Sequence, residues 1–97
     1  VTDFTAEGPA DTLSIYRTTR RSKLTLKAKS EWRWRYRAAG NNAIMATGGE
    51  GYERVEACTT AAFRVVGIKE EDDMTNVVSG TYHRHHGLPS VWVTVTG

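Results

Sequence analysis

Residues 23–38 read KLTLKAKSEWRWRYRA, and the fold turns on how that stretch is interpreted. Its even positions are Leu24, Leu26, Ala28, Ser30, Trp32, Trp34, Tyr36 and Ala38. Its odd positions are Lys23, Thr25, Lys27, Lys29, Glu31, Arg33, Arg35 and Arg37. Side chains on a β-strand leave alternate faces, whereas a helix would scatter both sets around its cylinder. The stretch therefore predicts extended chain with one largely apolar face and one charged face. Whether it is one strand or two joined near Lys29–Ser30 stays open at this level.

Upstream, TLSIYRT at 12–18 is rich in β-branched and aromatic residues and places Leu13 and Ile15 on one face, so it reads as a strand. TTRRS at 18–22 is the expected connecting turn. Residues 1–10 contain Gly8 and Pro9 without a sustained period and read as a loosely held leader, leaving 11–97 as one domain. Downstream, Gly40–Asn41–Asn42 is a turn signal and AIMAT at 43–47 the returning strand. Gly48, Gly49 and Gly51 predict a corner in which glycine supplies positive φ.

A helix is expected over 53–66, with Val55, Cys58, Ala62, Val65 and Val66 on one stripe and Gly67 as its stop. Glu53 and Glu56 lie in its first turn, where the helix dipole favours negative charge. The run Glu70–Asp73 reads as a solvated loop, and 74–83 and 90–96 as two further strands separated by Gly87 and Pro89. The order is three strands, a helix and two strands, an α+β arrangement.

A chain of 97 residues accommodates one domain, and its charged fraction of 25% is that of a globular protein. No apolar run approaches the roughly 20 residues that cross a bilayer, so no membrane partner is expected. The single cysteine, Cys58, excludes an internal disulfide and suits a reducing compartment. No basic-then-apolar leader precedes Asp3, and the expected location is the cytoplasm. The net charge of +2 conceals a strong asymmetry. Between Arg17 and Arg37 lie nine basic residues and one acid, Glu31, so the rest of the chain is acidic on balance. Segregated charge of this kind concerns partners, not fold.

The run EWRWRYRAAGNNAIMATGGEGYERVEACTTAAFRV at 31–65 resembles the YegP-like family of small bacterial, archaeal and phage proteins. The resemblance is carried by Trp32 to Ala38, Asn41–Asn42, Ile44 to Tyr52 and Ala57–Cys58, with Ile15–Tyr16–Arg17 similar to the family's opening strand. It implies a β3-α-β2 unit: an antiparallel sheet with a helix on one face and Trp32, Trp34 and Tyr36 beneath that helix. It further implies an intertwined homodimer whose units exchange their C-terminal strands. It implies no biochemical activity. Three departures stand out: about ten extra residues between the first strand and WRWRYR, Gly48 where a Ser is common, and Arg54 at a usual Ser helix cap. An N-cap without an oxygen acceptor forfeits about 1 kcal/mol.

Candidate binding residues follow from the charged face. Lys27, Lys29, Arg33, Arg35 and Arg37 would project together, as a surface for a protein partner or for the phosphates of nucleic acid or another polyanion. Alternating charges on an open sheet face are equally the ordinary chemistry of solvent exposure. Val91, Trp92, Val93 and Val95 form an apolar terminal strand that would invite aggregation unless paired, and are the candidate dimer interface.

Gly48–Gly49–Glu50–Gly51 precedes a helix but lacks the Lys-Ser/Thr of a phosphate loop. His83 and His85 would share a strand face at a spacing able to ligate zinc, so a histidine metal site is an alternative reading; no third ligand lies nearby in the sequence, and no metal residue is assigned. Cys58 reads as a small core hydrophobe. No catalytic residue and no cofactor is assigned. The expected protein is a non-enzymatic, self-pairing interaction module.

Overall fold

The computed structural model describes residues 10–21, 28–49, 51–70 and 74–97. Five strands and one helix form a small α+β fold: β1 (Thr12–Arg21), β2 (Ala28–Arg37), β3 (Ile44–Thr47), α1 (Val55–Val66), β4 (Gly80–Tyr82) and β5 (Val91–Thr96). The strands make one sheet in the order β3-β2-β1-β5-β4.

The long β1–β2 pair dominates that sheet. It is antiparallel from Thr12↔Arg37 to Arg21↔Ala28, with Leu13 opposite Tyr36, Ile15 opposite Trp34 and Tyr16 opposite Arg33. β1 therefore continues through the segment expected to turn at 18–22. The connection lies at 22–27, outside the described residues, as does Lys27. From Ala28 onward the alternating stretch is one strand.

Asn41 and Asn42 make the turn into β3 as their chemistry predicts. Asn42 takes φ 59°, and the Asn41 Oδ1 accepts a hydrogen bond from the Ala43 N–H at 3.0 Å.

The sheet is mixed, which corrects the antiparallel expectation. β5 runs parallel to β1, pairing Leu13 with Val93 and Ile15 with Val95, while β4 pairs antiparallel to β5. A hairpin cannot bring two strands together in the same direction, but a crossover through a helix can. α1 provides it, returning the chain across the sheet to the free edge of β1.

A second correction concerns residues 74–83. Met74–Asn76 is a 3₁₀ turn and only Gly80–Tyr82 is strand. The segment lacks the sustained alternation that distinguishes 31–37.

α1 starts at Val55, two residues later than expected. Its N-cap is Arg54, whose side chain makes no capping bond, and Gly67 ends it in the left-handed region at φ 90°. The buried face is Cys58, Thr59, Ala62, Phe63 and Val66; Val65, expected on the stripe, is exposed. Phe63 fills that place, since positions 55, 59, 62, 63 and 66 recur at three- and four-residue steps.

The helix covers one face of the sheet. Leu13, Ile15, Trp34, Cys58, Ala62, Phe63, Val66, Ile68, Val91 and Val93 form the core, with Trp32, Tyr36, Ala46, Tyr82 and Val95 packed around it. Each fully buried Val, Leu, Ile or Phe side chain is worth roughly 1.5–3 kcal/mol.

Of the glycines after β3, Gly48 and Gly51 serve close approach, and none of Gly48, Gly49 and Gly51 takes a positive φ. A Cβ at Gly48 would lie 2.5 Å from the Trp34 Nε1, and one at Gly51 would lie 2.3 Å from the Glu31 carboxylate. This packing lets Tyr52 bond back to Trp32, N–H to carbonyl in both directions, at 2.7 and 2.9 Å.

Candidate functional site

With α1 on one face, strand alternation and register determine what the other face presents. On β2 the odd residues Lys29, Glu31, Arg33, Arg35 and Arg37 point away from the helix, because Trp34 and Tyr36 point toward it. The structure thus aligns four of the five basic candidates on one strand face. Lys29 is exposed, and Arg33, Arg35 and Arg37 are half-buried.

The neighbouring strands supply the rest of this open face. β1 contributes Thr12, Ser14, Tyr16 and Thr18, and β5 contributes Trp92, Thr94 and Thr96. One cross-strand row reads Arg37–Thr12–Trp92, the next Arg35–Ser14–Thr94, and a third Arg33–Tyr16–Thr96. Small hydroxyl side chains therefore separate the arginine row from the Trp92 indole, across two strand spacings, about 10 Å.

Local contacts orient these groups. The Arg35 guanidinium lies over the Tyr16 ring, 5.1 Å from its centroid, and donates to the Tyr16 hydroxyl at 3.2 Å. Its Nε is buried without a partner among the described residues. Arg37 donates to the Asn42 carbonyl at 3.1 Å. Arg33 pairs with Glu31 at 3.0 Å, the one carboxylate within the alternating row. Solvent-accessible pairs are worth little, about 0–1 kcal/mol.

The terminal candidates divide between the two faces. Val91 and Val93 are fully buried in the core of their own chain and Val95 packs at its border, whereas Trp92 is 45% exposed on the open face. They do not form one continuous surface. The apolar run at 91–95 masks the separate position of Trp92, and nothing in the pattern of 12–18 singles out Tyr16. The signal that could have separated Trp92 was its odd-even offset from Val91 and Val93. Its place beside the arginines, however, depends on the β1–β5 pairing, which no local pattern encodes.

The other candidates fall apart. β4 ends at Tyr82, so His83 and His85 do not share a strand: His83 Nδ1 lies 3.1 Å from the Ser90 Oγ, while His85 and His86 sit in a 3₁₀ turn. Among the described residues no group of three or more His, Cys, Asp and Glu side chains could hold a metal ion. Burial pushes the Cys58 thiol up to about 11, so it stays protonated and unreactive at neutral pH.

One further polar cluster joins distant segments. Asp11 accepts from the Tyr36 hydroxyl, from the Ala39 N–H at 2.8 Å and from Arg84 at 3.1 Å, and Arg84 also donates to the Tyr36 hydroxyl. The Tyr36 hydrogen bond is the main reason that the Asp11 carboxyl sits below the usual carboxylate range. Burial opposes this, and the Ala39 N–H and Arg84 reinforce it. Burial raises the Tyr36 phenol, and its bond to Asp11 adds to the rise. These groups bond one another, with only the Arg84 Nε buried without a partner among the described residues of the cluster, and their chemistry is that of a clamp joining the strand entry to β2 and to the segment before β5.

Beside β4 is a hollow of about 430 Å³ lined by Lys69, Glu70, Val78, Tyr82 and His83. The Tyr82 hydroxyl there is already bonded to Val78, donating to its carbonyl and accepting from its N–H.

Among the described residues no helix is long and apolar enough to cross a membrane. No protein-family model, curated protein or solved structure matches this chain.

Proposed function

We propose that this chain is a non-enzymatic binding module whose open sheet face engages the phosphate backbone of a nucleic acid. The observation that carries this reading is the alignment of Lys29, Arg33, Arg35 and Arg37 on the face of one strand that no other described element covers, with Glu31 as the single carboxylate in the row. Guanidinium groups bond phosphate oxygens in pairs, and a row of them follows a repeating backbone charge by charge. A cytoplasmic setting accords with the single buried cysteine.

The test is retention on immobilised nucleic acid at low salt. Arg33→Ser, Arg35→Ser and Arg37→Ser together are expected to abolish retention while the circular dichroism and cooperative unfolding persist. Failure of the unaltered protein to bind at low salt would end this reading.

A second reading concerns assembly: a homodimer of YegP-like units that exchange their C-terminal strands. It is supported by the element order and by the way the β4–β5 hairpin enters the sheet. β5 meets the rest of the sheet only along β1, carrying Val91 and Val93 into the core as it does so. The same hairpin laid along a partner's β1 would make identical contacts, the hallmark of a low-cost exchange. Sedimentation in dilute solution should give twice the chain mass; a monomer at every concentration removes the dimer.

A further inference from the structure

We infer that the ligand of the open face is a single strand, with a base stacked on Trp92 while its phosphates lie along Arg33, Arg35 and Arg37. This rests on the nucleic-acid reading above and specifies it further.

Three observations lead here. First, Trp92 is 45% exposed although it lies within β5, flanked by Val91 and Val93, both fully buried. An indole presented on the surface of a paired strand offers an unoccupied π-face, and every base has a π-face to match it. Secondly, Trp92 shares a row with Arg37, and only Thr12 stands between them. Thr12, Ser14 and Thr94 are short, so the floor between the guanidinium row and the indole is low. A sugar and base can extend across it from a phosphate held on β2. Thirdly, the other aromatic of this face, Tyr16, already has the Arg35 guanidinium over its ring. That contact preorganises Arg35 and leaves Trp92 as the free platform.

The geometry discriminates against a duplex. Bases in a double helix are stacked on each other and display only their edges in the grooves, so no base plane is available to an indole. A single strand exposes both its phosphates and its base planes, and the open face is equipped for both.

The experiment follows intrinsic tryptophan fluorescence and the anisotropy of a labelled oligonucleotide, using three probes: a 12-nucleotide oligodeoxythymidylate, a 12-base-pair duplex and heparin. Heparin carries anionic charge without bases. The oligodeoxythymidylate is expected to quench the Trp92 emission, and heparin to bind without quenching. Trp92→Ala is expected to weaken the single strand by about 5- to 150-fold, the range that corresponds to loss of one base–aromatic stack. Its affinity for heparin should not change. Trp92→Phe, which keeps a smaller ring, should recover part of the loss. Because the indole is outside the core, both variants are expected to fold, and the quenching measurement on the unaltered protein does not depend on either.

Equal affinity for single strand and duplex, or quenching by oligodeoxythymidylate that is absent and affinity that survives Trp92→Ala, would overturn the stacking inference. Retention on heparin or duplex in that case leaves the basic-face reading standing. Loss of binding to all three probes removes both.

Discussion

Gly48 illustrates how one residue follows from another far along the chain. The indole of Trp34 occupies the space where a side chain at 48 would begin, 2.5 Å from an added Cβ, and Trp34 is itself held in the core. Gly48→Ala is therefore expected to destabilise the protein by about 1–3 kcal/mol in urea unfolding, as overpacking of a rigid neighbour does. Gly49→Ala, with nothing within 4 Å, should be close to neutral and serves as the control. The Asp11–Tyr36–Arg84 clamp makes a second residue-scale prediction. Because the folded-state pKa of Asp11 is depressed, its contribution is complete above the ordinary carboxylate value of about 4 and is lost as pH falls through the lower folded value. Tyr36 acts in the opposite sense: its raised pKa gives a contribution that is complete below about 10 and is lost as pH rises past that. Unfolding curves across pH should show the acid limb become shallower in Asp11→Asn.

At the scale of elements, β1 carries the molecule. It is paired on both sides, by β2 antiparallel and by β5 parallel, and its inward residues Leu13 and Ile15 are fully buried. Ile15→Ala should cost about 2–5 kcal/mol, while Ser14→Ala on the opposite face should cost little. α1 makes a different compromise. With no side-chain cap at Arg54, it relies on packing of Cys58, Ala62, Phe63 and Val66 and on the left-handed stop at Gly67. A serine at 54 can accept the orphan N–H groups of the first turn, so Arg54→Ser is expected to stabilise the fold by about 1 kcal/mol. Thermal or urea unfolding measures it directly.

For the whole molecule, the decisive property is that its two sheet faces do different work. One face is closed by the helix and holds the apolar side chains; the other carries the arginine row with Tyr16 and Trp92. If each arginine neutralises one phosphate, the slope of log affinity against log salt should fall by about 0.7 in each of the single variants Arg33→Ser, Arg35→Ser and Arg37→Ser, since that is the contribution of one single-strand phosphate contact. A slope unchanged by the three substitutions would show that the affinity originates elsewhere on the protein.

The two-sidedness of β2 was legible from the order of its residues alone. Period-two alternation is a local property, so Trp34 facing inward and Arg33, Arg35 and Arg37 facing outward follow from strand geometry without any partner. The Asn41–Asn42 turn and the Gly67 stop were legible for the same reason: each is a backbone preference of one or two residues. The 3₁₀ turn at 74–76, the parallel approach of β5, the exposure of Trp92 beside the arginines and the close fit of Gly48 on Trp34 were decided by tertiary structure. Each depends on which segment comes to lie beside which, a contact between residues tens of positions apart. Chain-local spacing carries no record of that, because it is settled by how all the apolar faces are buried at once.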